Sequence, residues 1–94
     1  MKKLNNYDVL HILVNRKFEA EDILKKLIEG KTFKELAQKF STCPSAKNGG
    51  ALGPIPEGKA DPDFETAALA LKPGERTRQP IRTRFGYHII ERIS

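Results

Sequence analysis

Two histidines and one cysteine are the residues of this chain best suited to chemistry. His11 lies in the mostly apolar run Tyr7-Asp8-Val9-Leu10-His11-Ile12-Leu13-Val14, and His88 lies in Phe85-Gly86-Tyr87-His88-Ile89-Ile90. Both runs read as strands, so both imidazoles face burial. A buried imidazole without a partner costs about 1–3 kcal/mol, so each ring must find a hydrogen bond. If the two strands are neighbours, the nearest partner for each ring is the other. Cys43 is the single cysteine. A thiol nucleophile needs a lowered pKa and an imidazole within reach; a lone cysteine otherwise serves as a small buried apolar residue. The same three residues therefore carry two readings, a polar pair that sets strand register or a reactive centre.

Two further patterns suggest chemistry. Gly53-Pro54-Ile55-Pro56-Glu57-Gly58-Lys59-Ala60 nearly matches a phosphate-binding loop. Such a loop cradles phosphates with backbone N–H groups, which Pro54 and Pro56 lack, and Ala60 stands where the magnesium-binding hydroxyl belongs. Nucleotide binding is set aside. Arg76, Arg78, Arg82 and Arg84 all fall on even positions, which in a continuous strand would line one face. Pro80 interrupts that series. The arginines read either as a solvated edge that discourages aggregation or as an anionic docking patch.

The elements that must position these groups follow from hydrophobic spacing. Residues 7–14 read as a central strand, with Val9, His11 and Leu13 on one face and Leu10, Ile12 and Val14 on the other. Ala20, Ile23, Leu24, Leu27 and Ile28 follow helical spacing and predict a helix over 19–29, stopped at Gly30. Thr32 and Glu35 form a capping box for a second helix with an apolar stripe of Phe33, Leu36, Ala37 and Phe40. The Gly- and Pro-rich stretch 41–58 reads as a structured loop around a short strand near Ala51-Leu52-Gly53. Asp61-Pro62 opens a third helix carrying Phe64, Ala67, Ala68 and Leu71. Strands over roughly 79–83 and 87–93 close the chain.

Composition narrows the classes. The 94 residues read as one domain over 1–94, with 1–6 expected to be flexible. The chain is 38% hydrophobic and 31% charged, an ordinary balance for a globular fold. One cysteine and two histidines cannot complete a four-ligand zinc site. No apolar run is long enough for a membrane helix. The start Met1-Lys2-Lys3-Leu4-Asn5-Asn6 lacks the apolar stretch of a signal peptide, and with the free thiol this points to the cytoplasm. The charge is 17 − 12 = +5, which attracts acidic partners and leaves an RNA-associated protein as a weaker reading. No aromatic residues interleave with the basic ones as a nucleic-acid stacking platform requires.

Six segments then resemble the parvulin family of peptidyl-prolyl cis/trans isomerases: His11-Ile12-Leu13-Val14, Phe33-Lys34-Glu35-Leu36-Ala37, Ser41-Thr42-Cys43-Pro44-Ser45, Gly49-Gly50-Ala51-Leu52-Gly53, Pro62-Asp63-Phe64-Glu65 and Phe85-Gly86-Tyr87-His88-Ile89-Ile90. They run in the family order from about Val9 to Ile93. The resemblance implies an α+β, FKBP-like fold: a four-stranded antiparallel sheet surrounded by three to four helices. It implies isomerisation of Xaa-Pro bonds in polypeptides, without metal or cofactor, by a minimal single domain; an exposed groove on a domain this small is compatible with a monomer. The site would lie between His11 and His88, hydrogen-bonded to each other behind the substrate proline. Cys43 would face the reacting bond, Thr83 would support the histidines, and Leu52, Phe64 and Phe85 would hold the ring. Family members with Asp at the Cys43 position argue against an obligatory covalent thiol step.

Two departures matter. Ala60 stands where the family often has Met, which would widen the pocket or leave a neighbour to fill it. A non-catalytic peptide-binding or chaperone module using the same groove is the rival reading, and Ala60 favours it. The stretch Asn15-Arg16-Lys17-Phe18 is short and only partly basic, which argues against a need for phosphoserine or phosphothreonine. Arg16, Lys17, Arg82 and Arg84 remain as a milder anionic docking set.

Overall fold

Asn6–Val14 forms the strand β1, and its two apolar faces have a common cause: it is central in a sheet covered on both sides. The computed structural model describes residues 6–94. The expected flexible start therefore lies outside the described residues, except for Asn6, which opens β1. The sheet order is β2-β1-β4-β3, with β2 at Ala51–Pro56, β3 at Ile81–Thr83 and β4 at Gly86–Arg92, and every pairing is antiparallel. In the β1–β4 ladder His11 stands opposite Ile90 and Leu13 opposite His88. Alternation then places both histidines on one face.

Three α-helices cover the sheet: α1 at Lys17–Ile28, α2 at Phe33–Phe40 and α3 at Pro62–Ala70. Ile12, Val14 and Ile89 pack with Ala20, Ile23 and Leu27 of α1 and with Phe33, Leu36 and Ala37 of α2. On the opposite face Tyr7, Val9 and Ile90 pack with Phe64 and Ala68 of α3. Capping follows the sequence: Thr32 Oγ1 accepts from the Glu35 N–H at 3.2 Å, Glu35 Oε1 accepts from the Thr32 N–H at 2.8 Å, and Asp61 Oδ1 accepts from the Asp63 N–H at 3.0 Å. Ile28 departs from expectation and is 84% exposed. At about 100° per residue it lies ~80° round the helix from Ala20, beyond the flank of the stripe that reaches the sheet.

The stretch 41–58 holds more structure than its composition suggests. Pro44–Asn48 is a 3-10 turn, and β2 runs through Pro54 to Pro56. Prolines are tolerated because β2 is an edge strand. The pairing shifts between Asp8↔Pro54 and Leu10↔Ala51, so three steps along β2 match two along β1. Gly53, at φ +77°, accommodates this bulge. Strand β3 is only three residues long, shorter than expected.

Gly50 packs against the backbone of His11. Its φ is +89°, a Cβ there would lie 2.5 Å from the His11 carbonyl oxygen, and its own carbonyl accepts from the His11 N–H at 2.9 Å. Gly53 also has positive φ, but open space surrounds it. Gly50→Ala should therefore lower unfolding free energy by about 2 kcal/mol or more, against about 1 kcal/mol for Gly53→Ala. Urea unfolding of the two variants checks this ordering; equal losses would contradict it.

Candidate active site

The two imidazoles meet at the middle of the sheet. His11 Nδ1 and His88 Nδ1 are 3.2 Å apart, and the rings lie nearly parallel with centroids 5.3 Å apart. His88 Nε2 is 2.7 Å from Thr83 Oγ1, and that oxygen accepts from the Phe85 N–H at 3.1 Å. Among the described residues, His11 Nε2 is a buried side-chain nitrogen without a partner. The arrangement of donors favours one tautomer pair. If Thr83 donates to His88 Nε2, then His88 Nδ1–H donates to His11 Nδ1, and only the His11 Nε2–H is left over. The reverse order leaves both the Thr83 hydroxyl proton and His11 Nε2 unused.

Both rings are held neutral. Burial pushes the His11 pKa down to about 4, and the neighbouring His88 adds to the effect. Burial lowers His88 as well, opposed by the Asp61 carboxylate. Phe64, from the first turn of α3, sets its ring edge-on to both imidazoles, with centroids 5.6 Å from His11 and 5.2 Å from His88.

Above the histidines is an open groove of about 370 Å³ whose exposed lining is almost wholly apolar. Leu52, Ile55, Ala60, Phe64 and Phe85 form its walls, and Cys43 and Thr42 line it beside Leu13. Cys43 is placed by Ser41, whose hydroxyl accepts from the Leu13 N–H at 3.0 Å and the Cys43 N–H at 3.3 Å. The thiol Sγ accepts from the Ser45 hydroxyl at 3.3 Å. Neither imidazole bonds it, so no thiol–imidazole pair is set up for nucleophilic attack. The groove offers a neutral floor, apolar walls and one soft sulfur, a combination suited to holding an apolar ring rather than transferring a proton.

The structure thus brings His11, Cys43, Leu52, Ala60, Phe64, Phe85 and His88 to one groove, with Thr83 bonded behind it. None of the basic residues lines the groove itself. Lys17 lies beside Arg78 on the α1 side, and Arg16 precedes that helix as its N-cap. Arg76 pairs with Glu91 at 3.5 Å. Arg82 stands opposite Tyr87, a residue packed on the α1–α2 core, and with Arg84 it lines a separate hollow beside α3 rather than the groove. The arginines form no single stripe, because β3 is too short to carry it. Arg84 alone of the four reaches the groove mouth, 3.8 Å from Asp61 and stacked over Phe85 at 5.0 Å. Sequence reasoning missed Ile55, whose place beside Leu52 depends on the β2 bulge.

A histidine whose folded pKa lies below its unfolded value stabilises the fold only while neutral. Below the unfolded pKa of ~6.5 the unfolded chain binds the proton first, so stability falls as pH drops toward about 4. For His11 the loss reaches roughly 3 kcal/mol at 1.36 kcal/mol per pH unit. Urea unfolding between pH 7 and pH 4 should show it, and His11→Asn should flatten the slope; an unchanged slope in that variant would contradict the assignment.

Comparison with known proteins agrees with this geometry. Residues 11–94 match the family described as "Rotamase: PPIC-type PPIASE domain". The chain is 44% identical over 90 residues to foldase protein PrsA 1 of Lactobacillus johnsonii, covering 90% of this chain and 30% of that protein. It is 47% identical over 83 residues to foldase protein PrsA of Bacillus subtilis, covering 87% and 28%. It therefore spans about a third of the length of these curated relatives. The crystal structure of PrsA from Bacillus subtilis superposes with a TM-score of 0.91 at 43% identity, over 96% of this chain and 35% of that one. The solution structure of NmPin, the parvulin of Nitrosopumilus maritimus, does so with a TM-score of 0.84 at 40% identity, over 99% of this chain and all of that one. The chain belongs to the parvulin, or PPIC-type, family of peptidyl-prolyl cis/trans isomerase domains.

Proposed function

We propose that this chain catalyses cis/trans isomerisation of Xaa-Pro bonds in polypeptides, without covalent chemistry and without requiring a phosphate before the proline, and so assists folding. The observation that carries this is the apolar groove floored by the neutral His11–His88 pair. Rotation about a peptide bond faces a barrier of about 18–20 kcal/mol because the planar forms keep amide resonance. The twisted form loses that resonance. A catalyst needs to hold the ring, let the preceding carbonyl turn, and bind the twisted form better than either planar one. A 10⁴-fold acceleration asks for only about 5.4 kcal/mol.

In this reading Leu52, Ala60, Phe64 and Phe85 hold the ring. His11 and His88 shape the floor, with Thr83 setting their tautomers. Cys43 presents a polarisable sulfur to the rotating carbonyl. Ile55 lines the same groove as Ala60 and adds apolar bulk to it. Against a phosphate requirement, only Asn15 and Arg16 separate β1 from α1, which leaves no loop for a basic cluster. Two lesser proposals accompany this one. The groove is complete within one chain, which supports a monomer; a dimer in sedimentation would overturn that. The free thiol of Cys43 supports a reducing, cytoplasmic setting; recovery of the native protein from an oxidising extracellular fraction would overturn that.

Exchange NMR on short peptides, with Glu, Lys, Leu, Ala or phosphoserine before proline, tests the activity. Faster exchange without a phosphoserine preference is expected; shift changes without faster exchange would mean a binding module. Cys43→Ser should lower kcat/KM by about three- to tenfold without abolishing it, and a trapped acyl-thiol adduct would refute the non-covalent mechanism. Ala60→Met should tighten peptide binding. Arg84→Gln should reduce any preference for Glu-Pro over Lys-Pro while Arg82→Gln leaves it intact; equal effects would return both to the solvated edge.

A further inference from the structure

The carboxylate of Glu65 ties three separate parts of the fold together. It accepts from the Tyr7 hydroxyl at 2.8 Å, and its two oxygens lie 3.0 and 2.9 Å from the Gly58 nitrogen, whose N–H they share. Tyr7 belongs to β1, Glu65 to α3, and Gly58 to the turn over residues 57–60 that joins β2 to α3. That turn carries Ala60, which lines the groove and packs against the core around Phe64. Its tip has little else to hold it. Gly58 has φ +88° and open space where a Cβ would point, and the turn's own backbone bond, Lys59 N–H to the Pro56 carbonyl, is 3.2 Å long.

We propose that Glu65 and Tyr7 are positioning residues: their hydrogen-bonded chain fixes the 57–60 turn against α3 and so sets the width of the groove at Ala60. Tyr7 is 2% exposed, so its ring is a fixed anchor, and its hydroxyl needs a buried acceptor. Burial and the carboxylate both hold that phenol protonated, hence a donor. Glu65 directly follows Phe64, and Ala60 packs against the cluster that holds Phe64, so the brace acts on two residues that line the groove. None of the groups around the reacting bond, His11, His88 or Cys43, takes part. Loosening the brace should therefore weaken the grip on the proline ring more than it slows the bound peptide's rotation. The inference rests on the isomerase reading for its kinetic form.

The test uses an Ala-Leu-Pro-Phe peptide with the full chain and its Tyr7→Phe, Glu65→Ala and Glu65→Gln variants. Tyr7→Phe and Glu65→Ala should raise KM by about three- to tenfold with kcat within about twofold, and Glu65→Gln, which keeps one acceptor oxygen, should recover most of the loss. In the same variants the Gly58 amide proton should move upfield and the Ala60 methyl signal should broaden or shift. If the wild type binds without accelerating exchange, the isomerase reading fails. The brace is then still tested by the peptide's Kd from shift titration and by the Gly58 and Ala60 signals. Unchanged KM or Kd in a Glu65→Ala protein with an otherwise native spectrum would overturn the proposal, as would kcat falling in step with the rise in KM. Should Glu65→Ala unfold, the same measurements on Tyr7→Phe, which keeps the buried ring, support or overturn the brace in its place.

Discussion

The hydrogen bond between the His11 and His88 rings is the contact on which the rest of the groove depends. It joins residues 77 apart in sequence across a 3.2 Å gap. It exists only in the register that sets His11 opposite Ile90 and Leu13 opposite His88. A slip by one residue would turn one ring to the opposite face, into the core beneath α1 and α2, and leave the other without its partner. In low dielectric an unpaired imidazole is costly, so the pair works against any such slip as well as flooring the groove. Thr83 and the Phe85 N–H extend the same chain of hydrogen bonds into the β3–β4 turn. The loop that supplies a groove wall is thereby locked to the floor.

The groove itself comes from unequal coverage of the sheet. One face is sealed by α1 and α2, which together bury Ile12, Val14 and Ile89. The other is covered by α3, only nine residues long. It reaches Tyr7, Val9 and Ile90 through Phe64 and Ala68. The stretch from His11 to Leu13 is left to be roofed by Phe64 at the edge and by whatever occupies the groove. Binding there removes apolar surface from water, which is the main driving force available to a site with so few polar groups.

Edge strand β2 shows how a local irregularity becomes a binding wall. Regular alternation would send Leu52 and Pro54 to one face and leave Ile55 on the other. The bulge at Gly53 adds one residue, so Leu52 and Ile55 both face the groove. Ile55 thereby adds apolar bulk to the groove that Ala60 also lines. The prolines on the same strand deny hydrogen bonds to an incoming chain along the outer edge.

The element order, the helix caps and the two-faced character of β1 are legible in the residues alone. Each follows from short-range rules: Thr32 and Glu35 three residues apart, Asp61 before Pro62, apolar residues on both parities of residues 7–14. Burial without a partner is too costly for an imidazole, so His11 and His88 also stand out as groups that must be paired. The family motifs point to Cys43, Leu52, Phe64, Thr83 and Phe85 without any geometry. The remainder needs the folded chain. Ile55 joins the groove through a bulge that composition does not reveal. Arg82 lies off the groove because strand pairing, not sequence parity, fixes where it points, and Arg16 and Lys17 lie off it because they open α1, which packs on the other face of the sheet. Ile28 stays in water because it lies just outside the arc of α1 that reaches the sheet. Glu65 bridges Tyr7 and Gly58 because the fold brings β1, α3 and a turn to one point, a meeting that depends on long-range packing and leaves no trace in local spacing.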